Sequence, residues 1–233
     1  MKPSFFMLFL GLSLIGCAGL DDDAEDVGAA AQADETANSL TANSLTANAL
    51  TANALTDPSA RDVLKYIVGC ALPAAAHLDL TIDGTVYSYD GQLGLAPGWA
   101  HGSCDAGCVG AVSSCVLSRL NYLGVRVPIS DRGAKLPTTP AEIAAYPNID
   151  GVYYGNIFSS PQQRHACLPP GATSLPRVCG PSLTGCVVDV VGACDSVCDD
   201  PSQRDGSYPK CRTAPLRTPG AVTYQSPITV FLQ

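Results

Sequence analysis

The run Cys104-Asp105-Ala106-Gly107-Cys108-Val109-Gly110-Ala111-Val112-Ser113-Ser114-Cys115 places three cysteines inside a helical pattern. Val109, Val112 and Val116, continued by Leu120 and Leu123, recur at three- and four-residue spacing. A helix is therefore expected from near Ser103 to about Leu123, with these residues as its buried stripe. Cys104, Cys108 and Cys115 form a second narrow stripe on the same helix. Bridged cysteines hold their Cα atoms about 4.4–6.8 Å apart. On a helix, Cys108 and Cys115 are about 10.5 Å apart, and Cys104 and Cys115 about 16.5 Å. Neither pair can close. If residues 57–158 are self-contained, only Cys104–Cys108 with Cys70–Cys115 satisfies the geometry, with Cys104 at a frayed helix start. Otherwise some of these cysteines must cross to residues 159–233. The self-contained pairing is preferred. It leaves Cys167, Cys179, Cys186, Cys194, Cys198 and Cys211, an even set, to pair within the second stretch.

Toward the amino terminus, Asp57-Pro58 supplies an N-cap and an N1 proline. Ala60, Val63, Leu64, Ile67, Val68 and Ala71 then keep helical spacing until Pro73, with Cys70 in the last turn. His77 to Tyr89 reads as a hairpin. Asp83-Gly84 is a preferred two-residue turn, and it would pair Ile82 with Thr85, Leu80 with Tyr87 and Leu78 with Tyr89. That register puts the apolar residues and both tyrosines on one face. Gly91 to Gly102, which holds Trp99, reads as a loop. Beyond the second helix, Val125, Val127 and Ile129 alternate as a strand. Thr139-Pro140-Ala141-Glu142 is a capping box that opens a short helix, and Val152 to Phe158 reads as another strand.

Residues 159–233 hold six cysteines among many Pro, Gly and Ser. Cys186 to Val191 reads as a strand, Cys194 and Cys198 flank a turn, and Val222 to Leu232 reads as a closing strand in which Pro227 marks a bulge or edge. The rest reads as loops stapled by disulfides. The expected class is α+β: a small disulfide-rich domain with two main helices and antiparallel strands. It consists of an α+β half (57–158) and a disulfide-rich loop and β half (159–233), together forming one domain, behind a low-complexity tether.

The tether spans residues 17–56. Residues 18–56 hold seven acids and no Lys or Arg, whereas 57–233 hold fourteen acids and twelve bases, a difference of −2 against −8 for the whole chain. The folded part is near neutral and lacks the basic stripe of a nucleic-acid surface. After the acidic run Asp21–Asp26, a period of five recurs from Thr36 to Leu55 (TANSL twice, TANAL twice). Successive leucines fan around a helix axis and alternate faces on a strand, so no stripe forms. Twenty residues also fall short of a stacked solenoid. As a flexible chain the tether would span roughly 35 Å.

At the start, Lys2 precedes an apolar run from Phe5 to Ile15, shorter than the about 20 residues of a membrane span and suited to a signal peptide over 1–16. Leu14-Ile15-Gly16-Cys17 follows. This motif resembles the lipobox of bacterial lipoproteins, a resemblance covering the first 17 residues. It implies cleavage before Cys17, lipidation of Cys17 with palmitate-type acyl chains, and a lipid bilayer as partner. Ala18 in place of Asp points by analogy to the outer membrane or cell surface. Eleven cysteines is an odd number, and a lipidated Cys17 leaves ten for five disulfides. The cargo is similar to cysteine-rich exported lipoproteins of environmental Gram-negative bacteria, a likeness that implies no activity.

No catalytic, cofactor-binding or metal-ligating set is assigned. Gly102-Ser103-Cys104 at a helix start resembles papain-like enzymes, but the spacing differs and Asp105 opposes a thiolate. Cys104/Cys108 and Cys194/Cys198 share a C-x3-C spacing, for which export favours disulfides over zinc. Asp199, Asp200 and Asp205 do not match a calcium loop. His77, His101 and His165 are scattered singly. Tyr87, Tyr89, Tyr153 and Tyr154 are expected to pack half-buried rather than line a glycan or peptide site. The expected function is a lipid-anchored module that binds an unspecified protein or glycan or serves structurally at the cell envelope. An exported hydrolase is the alternative.

Overall fold

The computed structural model describes residues 55–233. The expectations for the leader, Cys17, the acidic run and the repeats up to Ala54 lie outside the described residues.

Helix α1 (Pro58–Ala71) begins where expected: Asp57 caps it by accepting from the Ser59 amide, and Pro58 sits in the first turn. Ala60, Val63, Ile67, Val68 and Ala71 are buried. Strands β1 (His77–Ile82) and β2 (Thr85–Asp90) pair in the expected register. Their turn needs positive φ at both central residues, and Asp83 (50°) and Gly84 (80°) supply it. The loop that follows contains a 3-10 turn, Pro97–His101.

Helix α2 runs Ala106–Ser118, shorter than expected at both ends. At its start the Asp105 carboxylate accepts from the Cys108 amide at 2.8 Å. Cys104 therefore lies outside the helix, free to bridge Cys108. At its end Asn121 takes over: its side chain donates to the Val125 carbonyl and accepts from the Leu123 amide, a local turn that competes with further helix. Leu123, expected in the core stripe, is 67% exposed. The strand expected over Val125–Ile129 does not form, and Val125 is 51% exposed. The ladder begins instead at β3 (Ser130–Arg132), whose three polar residues are all buried.

Helix α3 (Pro140–Ala145) is capped by Thr139, which accepts from the Glu142 amide. Strands β4 (Asn148–Asn156), β5 (Gln163–Leu168), β6 (Asp189–Ala193) and β9 (Ile228–Leu232) join β3 in a five-stranded sheet of order β3-β9-β4-β5-β6. The sheet is mixed. Its β5–β6 ladder is parallel, where antiparallel strands were expected, and the others are antiparallel. The closing strand is split into β8 (Thr223–Tyr224), which pairs with β7 (Cys211–Arg212), and β9. Pro227 stands just before β9, and β9 is interior rather than an edge. Single helical turns α4 (Pro176–Cys179) and α5 (Cys194–Val197) complete the fold.

Both faces of the sheet are covered. On β4, Tyr153 joins the larger core with α1 and α2, whereas Val152 and Tyr154 join a smaller core with Cys167, Val197 and Tyr208. Strand β4 is therefore buried on both sides. The bridges are Cys70–Cys115, Cys104–Cys108, Cys167–Cys194, Cys179–Cys186 and Cys198–Cys211. The two halves each pair internally, which is the preferred self-contained pairing.

Buried charge is matched by an opposite charge in two places and held by hydrogen bonds and a ring face in a third. Arg177 donates twice to Asp150, at 3.0 and 2.6 Å, and caps α2 through the carbonyls of Ser118 and Leu120. Arg119 faces Asp131 at 3.0 Å. Arg132 lies over the Phe231 ring at 3.7 Å and donates to Ser130 and to the carbonyls of Asp205 and Tyr146. Arg177 and Arg132 thereby answer backbone groups that no regular element satisfies.

Candidate functional site

A cavity of about 370 Å³ opens where three segments meet. One wall is the first half of α2: Ala106, Gly107, Val109, Gly110 and Ser114. The second is the open end of the β4–β5 pair: Gly155, Asn156 and Gln163. The third is Thr223, Tyr224, Gln225 and Ser226, which carry the chain from β8 to β9. Its lining is more apolar than polar, with hydroxyls and amides set among the small residues and the tyrosine, and no charged side chain among the described residues lines it.

Each wall has a local cause. Gly155 sits at φ 156°, and a Cβ there would collide with the Gln163 carbonyl oxygen, so only glycine lets the two strands meet this closely. Gly110 is different: a Cβ there would meet nothing within 4 Å. Glycine inside a helix costs roughly 1 kcal/mol relative to alanine. Packing does not demand it at 110; what it does is widen the cleft.

Tyr224 is the most constrained wall residue. Its ring lies 5.5 Å from that of Tyr154 and 5.6 Å from that of His165, and its hydroxyl donates to Gln163 Oε1 at 2.8 Å. The ring is fixed before any ligand arrives, and burial pushes its phenol up. Behind it, His165 is 13% exposed. Its Nδ1 makes no hydrogen bond and stands 3.9 Å from Asp189 Oδ2. Burial holds the imidazole below its ordinary value, against a smaller opposing pull from Asp189, so it is neutral at pH 7. The arrangement offers fixed neutral donors and acceptors beside an aromatic face.

The residues singled out from sequence are distributed differently. Cys104 and Cys108 are bonded to each other, and none of the ten described cysteines is a thiol. Tyr153 and Tyr154 are fully buried and Tyr89 nearly so, more deeply than expected, and Tyr87 lies under Arg61. His77 pairs with Asp79 at the surface. Asp199 pairs with Arg212 at 2.8 Å. Asp205, despite burial, is held below the usual carboxylate range by hydrogen bonds from Ser207 and Arg204. His165 lies behind the cleft wall, against the ring of Tyr224. Asn156, Gln163 and Tyr224 carry no motif and were missed. The signal that existed was the unexplained glycine pair, Gly107 and Gly110, within a helix.

No helix among the described residues is long and apolar enough to cross a membrane. No protein-family model, no curated protein and no solved structure matches the chain.

Proposed function

We propose that the chain is an exported lipoprotein, anchored through acylated Cys17 at the outer membrane or cell surface, whose disulfide-stapled domain binds a neutral, hydroxyl-rich ligand of the glycan class. The observation that carries the binding reading is the cleft: about 370 Å³, with a largely apolar surface from Ala106, Val109, the glycines and Tyr224, in which the polar groups of Ser114, Asn156, Gln163, Thr223, Gln225 and Ser226 are set, and with no charged side chain among the described residues. Amides and hydroxyls match sugar hydroxyls one to one. A pinned tyrosine ring gives a sugar's apolar face a surface at little entropic cost. An anionic or cationic ligand would find no counter-charge there.

The anchor reading is supported by the cysteines. All ten from Cys70 to Cys211 pair among themselves, which leaves none to bridge Cys17. A thiol hydrolase draws no such support.

Two experiments test the reading. The full chain carrying Cys17→Ser, oxidised and soluble, is titrated calorimetrically with neutral hexose and N-acetylhexosamine oligomers. At least one should bind. Gly110→Leu should weaken it tenfold or more without lowering the melting temperature by more than a few degrees, and Tyr224→Ala should weaken it as much while also lowering the melting temperature, because its ring packs on Tyr154 and His165. Absence of binding across the panel would overturn the ligand class. Separately, palmitate labelling of the wild-type chain should vanish in Cys17→Ser, and undiminished labelling would refute the anchor.

A further inference from the structure

Two disulfides of the smaller core lie against each other. Cys167–Cys194 ties β5 to the start of α5, and Cys198–Cys211 ties the end of α5 to β7. The Cys167 and Cys198 sulfurs, which belong to different bonds, are 3.6 Å apart. The sulfurs of Cys167, Cys198 and Cys211 all lie within 4.8 Å of one another. All four cysteines are buried.

We propose that these two bonds form a single thiol–disulfide exchange site, with Cys167 and Cys198 as the pair that changes partner. Exchange requires a thiolate that can reach a neighbouring disulfide sulfur. A small dithiol reductant opens Cys198–Cys211, leaves as its own cyclic disulfide, and gives two thiols. The Cys198 thiolate attacks Cys167 Sγ. The Cys167–Cys198 bond forms, the Cys167–Cys194 bond breaks, and Cys194 departs as a thiolate that takes a proton. This second step has no net change in oxidation. Attack in the other direction, by a freed Cys167 on Cys198, expels Cys211.

The exchange unlinks one element in particular. In the native pairing Cys211 is the covalent hold on the β7–β8 ribbon, and Cys211 is the register partner of Tyr224. With Cys167 bonded to Cys198, that ribbon loses its covalent tie and keeps its hydrogen bonds, the Asp199–Arg212 ion pair and the ring contacts of Tyr224. On the cleft reading above, this loosens the wall that carries Tyr224, so ligand affinity falls in the exchanged form.

Cys194→Ser and Cys211→Ser, each in the full Cys17→Ser chain, place the missing partner genetically and need no reductant. After acid quench, alkylation and proteolysis without reduction, a peptide linking Cys167 to Cys198 should appear in at least a tenth of molecules. Cys211 should carry the alkyl group in the first variant and Cys194 in the second. If the only thiol is Cys167 in the first and Cys198 in the second, exchange is refuted. Limiting dithiothreitol on the Cys17→Ser chain with all ten bridging cysteines retained provides a check independent of the variants' folding. Among the two-thiol species opened in the smaller core, separated from any opened at the exposed Cys104–Cys108 bridge, label should lie on Cys194 and Cys211; label on Cys198 and Cys211 alone, or on Cys167 and Cys194 alone, overturns the proposal. Mapping tests exchange whether or not the cleft binds sugar.

Discussion

Residues 57–158 and 159–233 reach the same sheet by different means. The first stretch contains both long helices and the β1–β2 hairpin; α1 and the hairpin bury one face and wet the other, while the second half of α2 is buried all round. The second has no helix longer than a single turn and holds three of the five bridges, yet it supplies β5, β6 and β9, three of the five strands. The first stretch is organised by patterned apolar faces. The second is organised by cross-links and by a strand inserted between two that precede it. Cross-links substitute for pattern: they hold loops whose own apolar surface is too small to order them.

Breaking each half at its own fastening gives a graded test. Arg177→Met strands Asp150 in the core and opens the carbonyl end of α2, and removal of one partner from a buried ion pair costs about 3–5 kcal/mol. Urea unfolding should show that loss, with α2 and α4 destabilised together because Arg177 joins them. Next, Cys70→Ser with Cys115→Ser opens the longest disulfide loop, separation 45. Chain entropy puts its loss at about 4 kcal/mol as an upper figure, against about 2 kcal/mol for the four-residue Cys104–Cys108 loop. Equal losses in denaturant melts would mean that the two bridges act through local strain instead. Smaller still is Gly84→Ala in the hairpin turn. Holding alanine at φ 80° costs about 1–2 kcal/mol, read as a lowered denaturation midpoint.

The pH response separates the halves again. His165, in the second stretch, has its folded value lowered, chiefly by burial. The unfolded chain therefore binds the proton more readily. Stability from the neutral imidazole is fully present above about pH 6.5, the unfolded value, and is lost as pH falls from there through the folded value. Melting temperature should decline with acidification through that window in the wild type and stay flatter in His165→Gln. An unchanged slope in the variant would assign the effect to other groups.

Much of the first stretch was legible because α1 and the hairpin are amphipathic. Asp57-Pro58 and Asp83-Gly84 state their turns outright, and the alternation of Leu78, Leu80 and Ile82 sets the register. The same logic misread Val125, Val127 and Ile129. Their alternation is real, but Asn121 draws Val125 into a turn, while the strand forms at Ser130-Asp131-Arg132, where ion pairs and hydrogen bonds replace apolar burial. In the second stretch β5 was invisible, because Gln163-Arg164-His165 looks solvated until Tyr154 and Tyr224 enclose the histidine. The cleft was illegible for a related reason: its polar walls come from three distant segments, and neutral amides leave no spacing to read. The cysteine pairing of the first half, by contrast, followed from helix geometry once that half was taken as self-contained.

On the export proposed above, the place of β9 in the sheet bears on how the chain would cross a membrane. Strand β9 lies between β3 and β4, both of which emerge long before it. A chain threaded amino terminus first through a membrane pore cannot complete the sheet until Ile228–Leu232 has passed. Until then β3 and β4 present open edges and the apolar sides of both cores. Disulfides such as Cys70–Cys115 and Cys104–Cys108, whose cysteines have already emerged, can form during that interval. They restrain the waiting segment while its last neighbour is still in transit.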